Sequence, residues 1–139
     1  MENILRVLPP VVGVLALIFA GAIAVWVLKQ DAGNDRMKEI SGYIHSGAMA
    51  FLKREYITMA IVIILLSVII AVTIHPLTAL LYVAGALFSV LAGYFGMRVA
   101  TRGNVRTAAA AQSGGINKAL GVAFKSGAVM GLSVVGLGP

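Results

Sequence analysis

The feature that most constrains this chain is a long segment from Asp35 to Ile74 that no proline interrupts. Its second half, Ile57 to Ile74, is an uncharged apolar run that covers about 27 Å as a helix, close to the hydrocarbon thickness of a bilayer. Its first half is amphipathic, with apolar residues at helical spacing. The charged residues of that half are Asp35, Arg36, Lys38, Glu39, Lys53, Arg54 and Glu55. The pattern predicts a membrane helix that continues into water as an arm.

Composition supports an integral membrane protein, because 60% of the residues are hydrophobic and 12% are charged. The chain contains no cysteine, which excludes disulfides and thiolate metal or redox sites within it. Its net charge of +6 fits basic cytoplasmic loops better than a nucleic-acid partner. We therefore expect the lipid bilayer as a partner and no nucleic acid.

Four hydrophobic segments define the predicted domain organisation. The predicted spans are 8–28, 57–74, 77–97 and a truncated fourth at about 119–139, with cytoplasmic helical arms at about 35–56 and 98–112. Pro9 and Pro10 suit the first turn of the first span, and His75-Pro76 breaks the chain between the second and third. We expect an all-α polytopic transmembrane bundle that forms the N-terminal part, residues 1–139, of a longer membrane domain.

A cleaved signal peptide is the alternative for residues 8–28, since Ala22-Ile23-Ala24 resembles a signal-peptidase site. The run exceeds the usual signal length, however, and the stronger basic flank follows it at Lys29 and Arg36. Nearly all other basic residues fall on that same side, whereas Arg6 falls on the other. The positive-inside rule therefore predicts a multi-pass protein of the cytoplasmic membrane with its N-terminus outside.

Local patterns predict how the helices end and pack. Residues 30–34 form a turn in which Asn34 or Asp35 can cap the following helix. Ser113-Gly114-Gly115 turns the chain again. Small residues recur every four positions in the third span, which permits close helix approach. They are Gly85, Ser89 and Gly93 in one row and Ala92 and Gly96 in another. We expect the two arms to pack together and to bury Ile40, Ile44 and Phe51.

Catalytic chemistry cannot be derived from these residues. Arg98, Arg102 and Arg106 line one face of the second arm, and lipid headgroups or a phosphate ligand could explain them. The three complete spans lack ionisable groups in their hydrocarbon portions, and the five carboxylates are scattered. His75 has no neighbouring ligand residue and is interpreted as a solvated loop residue. We assign no catalytic, cofactor-binding or metal residue.

Three motifs carry a family resemblance. They are RMKEISGYIHSGAMAFL at 36–52, GMRVATRGNVRT at 96–107 and ALGVAFKSGAVMGL at 119–132. Together they closely resemble, in order and spacing, the N-terminal part of membrane-bound, ion-translocating inorganic pyrophosphatases. The resemblance covers nearly the whole chain.

The resemblance implies a homodimeric pump that hydrolyses pyrophosphate with Mg²⁺ and moves protons or sodium ions, with K⁺ or Na⁺ as further candidate ions. In that family the active site stands on helices that protrude into the cytoplasm. The family's aspartate-rich motif, Asp followed eight residues later by Lys and two further on by Glu, is absent. Asp31 has Glu39 at that distance, and Asp35 has Tyr43. The resemblance thus implies outer-ring scaffold helices, with the remaining helices of the subunit as partners and the catalytic residues beyond Pro139.

Two alternatives stay open from the sequence. One is a self-contained four-helix transporter such as a small multidrug exporter, although those resemble one another in a glutamate of the first helix that residues 8–28 lack. The other is an accessory membrane subunit without chemistry of its own. The sequence downstream of Pro139 would distinguish them.

Overall fold

The computed structural model describes residues 2–137, with side chains from residue 7 onward, and over that range the chain forms three long helices. They are α1 (Glu2–Lys29), α2 (Asp35–Thr73) and α3 (Pro76–Leu137). Each is long and apolar enough to cross a membrane. The predicted all-α membrane fold is therefore confirmed.

The beginning of α1 differs from the prediction for the first span. Pro9 and Pro10 lie inside α1 rather than in its first turn, because the helix extends back to Glu2. Each proline removes one backbone N–H donor from the helix, a loss that an otherwise continuous helical segment tolerates here.

The turn before α2 is capped as the sequence predicted. The Asn34 side chain accepts a hydrogen bond from the Met37 backbone N–H at 2.9 Å, so Asn34 and not Asp35 is the cap. Gly33 has a φ of 76°, in the left-handed region that favours glycine, and its N–H donates to the Asp31 carboxylate at 2.9 Å. A β-carbon at Gly33 would also overlap the Met37 side chain. This turn therefore depends on glycine for both conformation and space.

His75 lies at the junction of α2 and α3, where its side chain has a structural role. Helix α2 ends at Thr73, and α3 begins at Pro76, where proline is favoured as a first helical residue. The His75 Nδ1 atom accepts a hydrogen bond from the Leu77 backbone N–H at 3.2 Å. His75 thus caps α3.

Helix α3 is a hairpin of two helical segments. Gly115 interrupts it with a φ of 72° and a ψ of −171°. The 62 residues would span about 93 Å if straight, far more than a bilayer needs. The segments 76–114 and 116–137 instead lie antiparallel, since Gly96 meets Met130 and Gly103 meets Ser126. The predicted glycine turn is confirmed at Gly115, while Ser113 and Gly114 remain helical.

The α3 hairpin is the shared partner of the other two helices. Helix α1 lies antiparallel to its second segment, with Gly13 beside Gly136 and Trp26 beside Lys125. The core forms where α1 meets both segments of α3, around Val27, Val99 and Val129. Val27 is fully inaccessible to solvent. These contacts favour residues 8–28 as a structural span over a cleaved signal.

Helix α2 packs antiparallel along the first segment of α3 but keeps most of its surface exposed. Tyr56 and Val90 are joined by a hydrogen bond in the span, and His45 and Thr101 in the arms. At about 58 Å, α2 is about twice the hydrocarbon thickness, which leaves its first half for the aqueous phase. The apolar residues exposed along its second half include Ile61, Ile64, Leu65, Val68 and Val72. Such a surface suits lipid or further membrane helices.

The small-residue rows of the third span have different roles. Ala92 and Gly96 are buried, and a β-carbon at Gly96 would overlap Met130 of the second α3 segment. Gly93 approaches the Tyr56 hydroxyl of α2, whereas Gly85 and Ser89 are exposed. The row of Ala92 and Gly96 is therefore the one that permits close packing of the hairpin.

The arms pack together, but the face of α2 that the sequence predicted to be buried is only partly covered, since Ile40 and Ile44 border a cavity between the arms. Ile40 and Ile44 are each 45% exposed, and Phe51 is 60% exposed. Within the described part of the chain, Leu52 is the one buried residue of α2, at 5% exposure. The expectation that Ile40, Ile44 and Phe51 are buried was wrong. The contact with α3 leaves a cavity beside the two isoleucines and does not cover Phe51.

The predicted fourth span, 119–139, ends outside the described residues at Gly138 and Pro139. As far as Leu137 it belongs to the second helical segment of α3. The first half of that segment, which contains Lys118 and Lys125, runs beside the second arm, since Ser126 lies against Gly103. The second arm therefore packs against both α2 and the second segment of α3.

Candidate functional site

The arginine row of the second arm is the first candidate for a ligand site, and its members have separate roles. The Arg106 guanidinium donates from Nε and Nη2 to the Leu28 carbonyl at 3.2 and 2.9 Å. Its Nη1 donates to the Arg102 carbonyl at 2.8 Å. Arg106 thus caps the C-terminal end of α1, where unpaired carbonyls and the helix dipole favour a cation.

The environment of Arg106 is partly desolvated. Burial, and secondarily the charge of Arg102, lower the pKa of Arg106 from its ordinary value. The ordinary pKa of a guanidinium is so high that the group stays protonated near neutral pH. The cation is consequently retained in the α1 cap, where all three of its nitrogens donate a hydrogen bond to a backbone carbonyl.

Arg98 and Arg102 do not join Arg106 in a common site. Arg98 extends back toward the membrane, with Nη1 donating to the Tyr94 hydroxyl at 3.1 Å and Cζ 5.9 Å from the Tyr94 ring centroid. Arg102 is exposed. Arg98 and Arg106 are therefore engaged with different groups, the Tyr94 hydroxyl and the Leu28 carbonyl.

His45 joins the two arms, a role that its position in the motif did not predict. Its Nδ1 lies 3.0 Å from the Thr101 hydroxyl, which is 4% exposed and donates to the Met97 carbonyl at 2.9 Å. Because the Thr101 hydroxyl donates to the Met97 carbonyl, it accepts from His45 in the tautomer that carries the ring proton on Nδ1. The sequence signal that could have found this contact is helical spacing, because His45 lies seven positions before the buried Leu52 and therefore on the same face of α2.

A cation–π contact marks the end of α1. The Lys125 ammonium lies 3.6 Å from the centroid of the Trp26 ring, which connects α1 to the second segment of α3. A tryptophan close to a lysine at the end of an apolar run, as with Trp26 and Lys29, is typical of the membrane–water interface, and this signal was available in the sequence. The contact gives the Lys125 cation a partner on α1.

A cavity of about 190 Å³ lies between the arms. Its lining is almost entirely apolar, with Ser41 and Asn104 as the polar side chains. The residues that line it are Met37, Ile40, Ser41, Ile44, Asn104, Val105 and Ala108. Without a cation in the lining, this cavity cannot neutralise a phosphate group.

The described carboxylates do not fit a magnesium site. Among residues 2–137, no group of three or more His, Cys, Asp or Glu side chains is placed to hold a metal ion. Asp35 pairs with Lys38 at 3.5 Å, and Glu39 pairs with Arg36 at 2.7 Å. The Asp31 carboxylate accepts from the Gly33 N–H. The carboxylates of Asp31, Asp35 and Glu39 are therefore engaged within the first turn of α2 and the turn before it.

The arrangement as a whole holds helices together across and beyond a membrane. Its polar contacts connect α1 to α3 and α2 to α3, and the one described histidine–hydroxyl pair, His45 with Thr101, joins the two arms. The class of protein that these features define is a helical membrane protein, with three helices of spanning length that pack through α3.

Comparison with known proteins places this chain in a particular family of that class. Residues 14–138 match the family model described as inorganic H⁺ pyrophosphatase, so the chain belongs to that family. The predicted resemblance is confirmed, and it leaves the small-exporter alternative without support.

Individual relatives agree with the family match. A Clostridium tetani protein that carries the name of a pyrophosphate-energized sodium pump is 52% identical over 120 residues, which cover 86% of this chain and 18% of that protein. K⁺-insensitive pyrophosphate-energized proton pumps from Pyrobaculum aerophilum and Methanosarcina mazei are 47% and 48% identical. They match 91% and 92% of this chain, and 18% and 19% of their own lengths. The chain thus spans less than a fifth of these relatives, which include pumps for both ions.

We expect Arg106→Ala to destabilise the protein by about 1.5–3 kcal/mol, the usual contribution of a hydrogen bond from a charged donor. The variant leaves the Leu28 carbonyl without its guanidinium partner at the end of α1. Arg106→Lys should recover only part of the loss, because a lysine cannot present two donors in a fixed fork. Thermal unfolding in detergent measures both effects, with exposed Arg102→Ala as the matched control. Equal melting temperatures for the Arg106 and Arg102 variants would contradict the capping role.

Proposed function

We propose that this chain is the N-terminal part of a pump that couples hydrolysis of inorganic pyrophosphate to transport of protons or sodium ions across the membrane. The observation that carries the proposal is the family match over residues 14–138, together with the names of the relatives. The chain is 52% identical to the sodium pump and 47% and 48% identical to the two proton pumps. This small difference in sequence identity favours neither ion.

Within such a pump, we propose that residues 1–139 supply scaffold helices of the outer ring and not the catalytic site. The support is chemical. The carboxylates of Asp31, Asp35 and Glu39 are engaged with neighbouring basic or backbone groups. The cavity between the arms is apolar, and Arg106 is used to cap α1. Pyrophosphate and Mg²⁺ would then be bound by residues elsewhere in the subunit, in a homodimer.

The exposed face of the first arm supports a scaffold that other helices cover. Ile40, Tyr43, Ile44 and Phe51 are all at least 45% exposed, although the charge pattern of residues 35–55 places them outside the hydrocarbon region. A cluster of large apolar side chains in water is unfavourable, so such a face normally packs against protein. We propose that the remaining helices of the same subunit cover it, on the cytoplasmic side, with the N-terminus outside.

The whole reading frame that contains this chain, expressed in membrane vesicles, tests both proposals. We expect Mg²⁺-dependent release of phosphate from pyrophosphate, accompanied by uptake of protons or of ²²Na⁺. A triple variant Asp35→Asn, Glu39→Gln, Glu55→Gln should retain most of the hydrolysis rate, because the proposed catalytic carboxylates lie outside these residues.

The possible failures are distinguishable. Vesicles that contain the intact protein but show no pyrophosphate hydrolysis would contradict the proposed activity. Normal hydrolysis by the unmodified protein, with loss of activity in a triple variant that is still folded, would contradict the scaffold role alone. Hydrolysis without uptake of either ion would contradict the coupling.

A further inference from the structure

A second, larger cavity lies between α2 and the first segment of α3, where the arms join the spans. Its volume is about 650 Å³, within the range of about 300–1,000 Å³ that is usual for ligand sites. The lining has an apolar part and a polar part. The apolar residues are Met49, Leu52, Ile57 and Ala60, and the polar residues are Lys53, Tyr56 and Tyr94.

The polar part of this cavity lies at the expected boundary between water and hydrocarbon. Lys53 belongs to the last charged cluster before the apolar run that begins at Ile57. Tyrosines are enriched at that depth, because their rings are apolar and their hydroxyls remain close to water. The Tyr56 hydroxyl donates to the Val90 carbonyl at 3.1 Å, which fixes its ring in the cavity wall. The cavity therefore extends from the headgroup level toward the hydrocarbon.

Two cations lie at the headgroup end. Lys53 is exposed and lines the cavity, and the exposed Arg98 reaches its edge through the hydrogen bond from Nη1 to the Tyr94 hydroxyl. Among the described side chains, the ion pairs involve other residues, so neither cation is neutralised by a carboxylate there. Glu55 is the nearest acidic residue in sequence, but it lies off the helical face of Met49, Lys53, Tyr56 and Ala60.

We propose that this cavity binds an anionic phospholipid from the leaflet on the side of the arms. Its phosphate would contact Lys53 and Arg98, and the start of an acyl chain would lie on the apolar lining. Basic side chains between membrane helices attract anionic headgroups in this way. A free phosphate ion would use the two cations but not the apolar wall, so the composition of the lining favours a lipid.

The test uses the protein expressed from the whole reading frame, purified in detergent and titrated with phosphatidylglycerol or phosphatidylcholine. Native mass spectrometry counts the bound lipids. We expect one phosphatidylglycerol to bind more tightly than phosphatidylcholine. The double variant Lys53→Gln, Arg98→Gln should lower that affinity about 30-fold, since each basic residue near a membrane surface contributes about fivefold. Ala60→Trp, which fills the apolar part without changing the charge, should also weaken phosphatidylglycerol binding.

The matched control is the double variant Lys38→Gln, Lys118→Gln, which removes the same charge from exposed positions away from the cavity. It should leave phosphatidylglycerol affinity nearly unchanged. Equal binding of the two lipids would overturn the proposal, as would an equal loss of affinity in both double variants. Unchanged lipid binding by Ala60→Trp would show that the lipid does not occupy this cavity. All of these outcomes are independent of whether the protein hydrolyses pyrophosphate.

Discussion

The isolated 139-residue chain should release phosphate from pyrophosphate no faster than a protein-free blank, even with excess magnesium. Hydrolysis of a diphosphate needs metal ions held by several carboxylates, which neutralise the substrate and activate the water. Among residues 2–137 no cluster of that kind exists, and Asp35 and Glu39 are paired with Lys38 and Arg36. We therefore expect the isolated chain to have none of the pyrophosphatase activity of the whole pump.

Weak binding would not change this expectation. The exposed Arg98 and Arg102 could attract a diphosphate by charge alone, but binding accelerates a reaction only if it strengthens in the transition state. Phosphate release is measured with the isolated chain, the whole reading frame and a blank in the same detergent, after circular dichroism has shown that the chain is helical. A magnesium-dependent rate above the blank that Glu39→Gln, Glu55→Gln abolishes would place the active site in these helices.

Leu52→Asp should be the most destabilising single substitution in the first arm, with a cost of at least about 3 kcal/mol. Loss of a buried leucine side chain alone costs about 2–5 kcal/mol, and an unpaired buried carboxylate adds to this. The neighbouring Phe51→Asp is the matched control. Leu52 is 5% exposed and Phe51 is 60% exposed, so Phe51→Asp should have little effect on the isolated chain.

Thermal unfolding of the isolated chain in detergent compares the two variants directly. A large drop in melting temperature for Leu52→Asp with a small change for Phe51→Asp is the expected result. The opposite order would show that the arms pack through the face of Ile44 and Phe51. The same pair in the whole pump tests the scaffold proposal, because Phe51→Asp should become destabilising once the remaining helices cover that face.

Much of the fold was predictable because it depends on local sequence. The helical range 35–74, the Asn34 cap and the glycine turn all follow from residue types that act within a few positions. The membrane class follows from the lengths of the apolar runs. The beginning of α1 was less predictable, because Pro9 and Pro10 suit a first turn and yet lie inside a longer helix.

The roles of the arginines show where prediction from sequence ends. Helical spacing correctly placed Arg98, Arg102 and Arg106 on one arm, but it could not show that Arg106 caps α1 from 78 positions away in sequence. Nor could it show that Arg98 extends toward Tyr94 and the membrane. Both roles depend on which carbonyls and hydroxyls the neighbouring helices bring within reach.

The sequence by itself determined that this chain crosses a membrane, which segments are helical and to which family it belongs, because hydropathy, capping and motif order are properties of the linear chain. The tertiary structure decided which apolar face of the first arm is buried. Ile44, Phe51 and Leu52 all suit an amphipathic helix, and the choice of Leu52 depends on the direction from which α3 approaches. That direction is set by contacts between the helices, such as the hydrogen bond from the Tyr56 hydroxyl to the Val90 carbonyl, and a single helix carries no information about its partner's position.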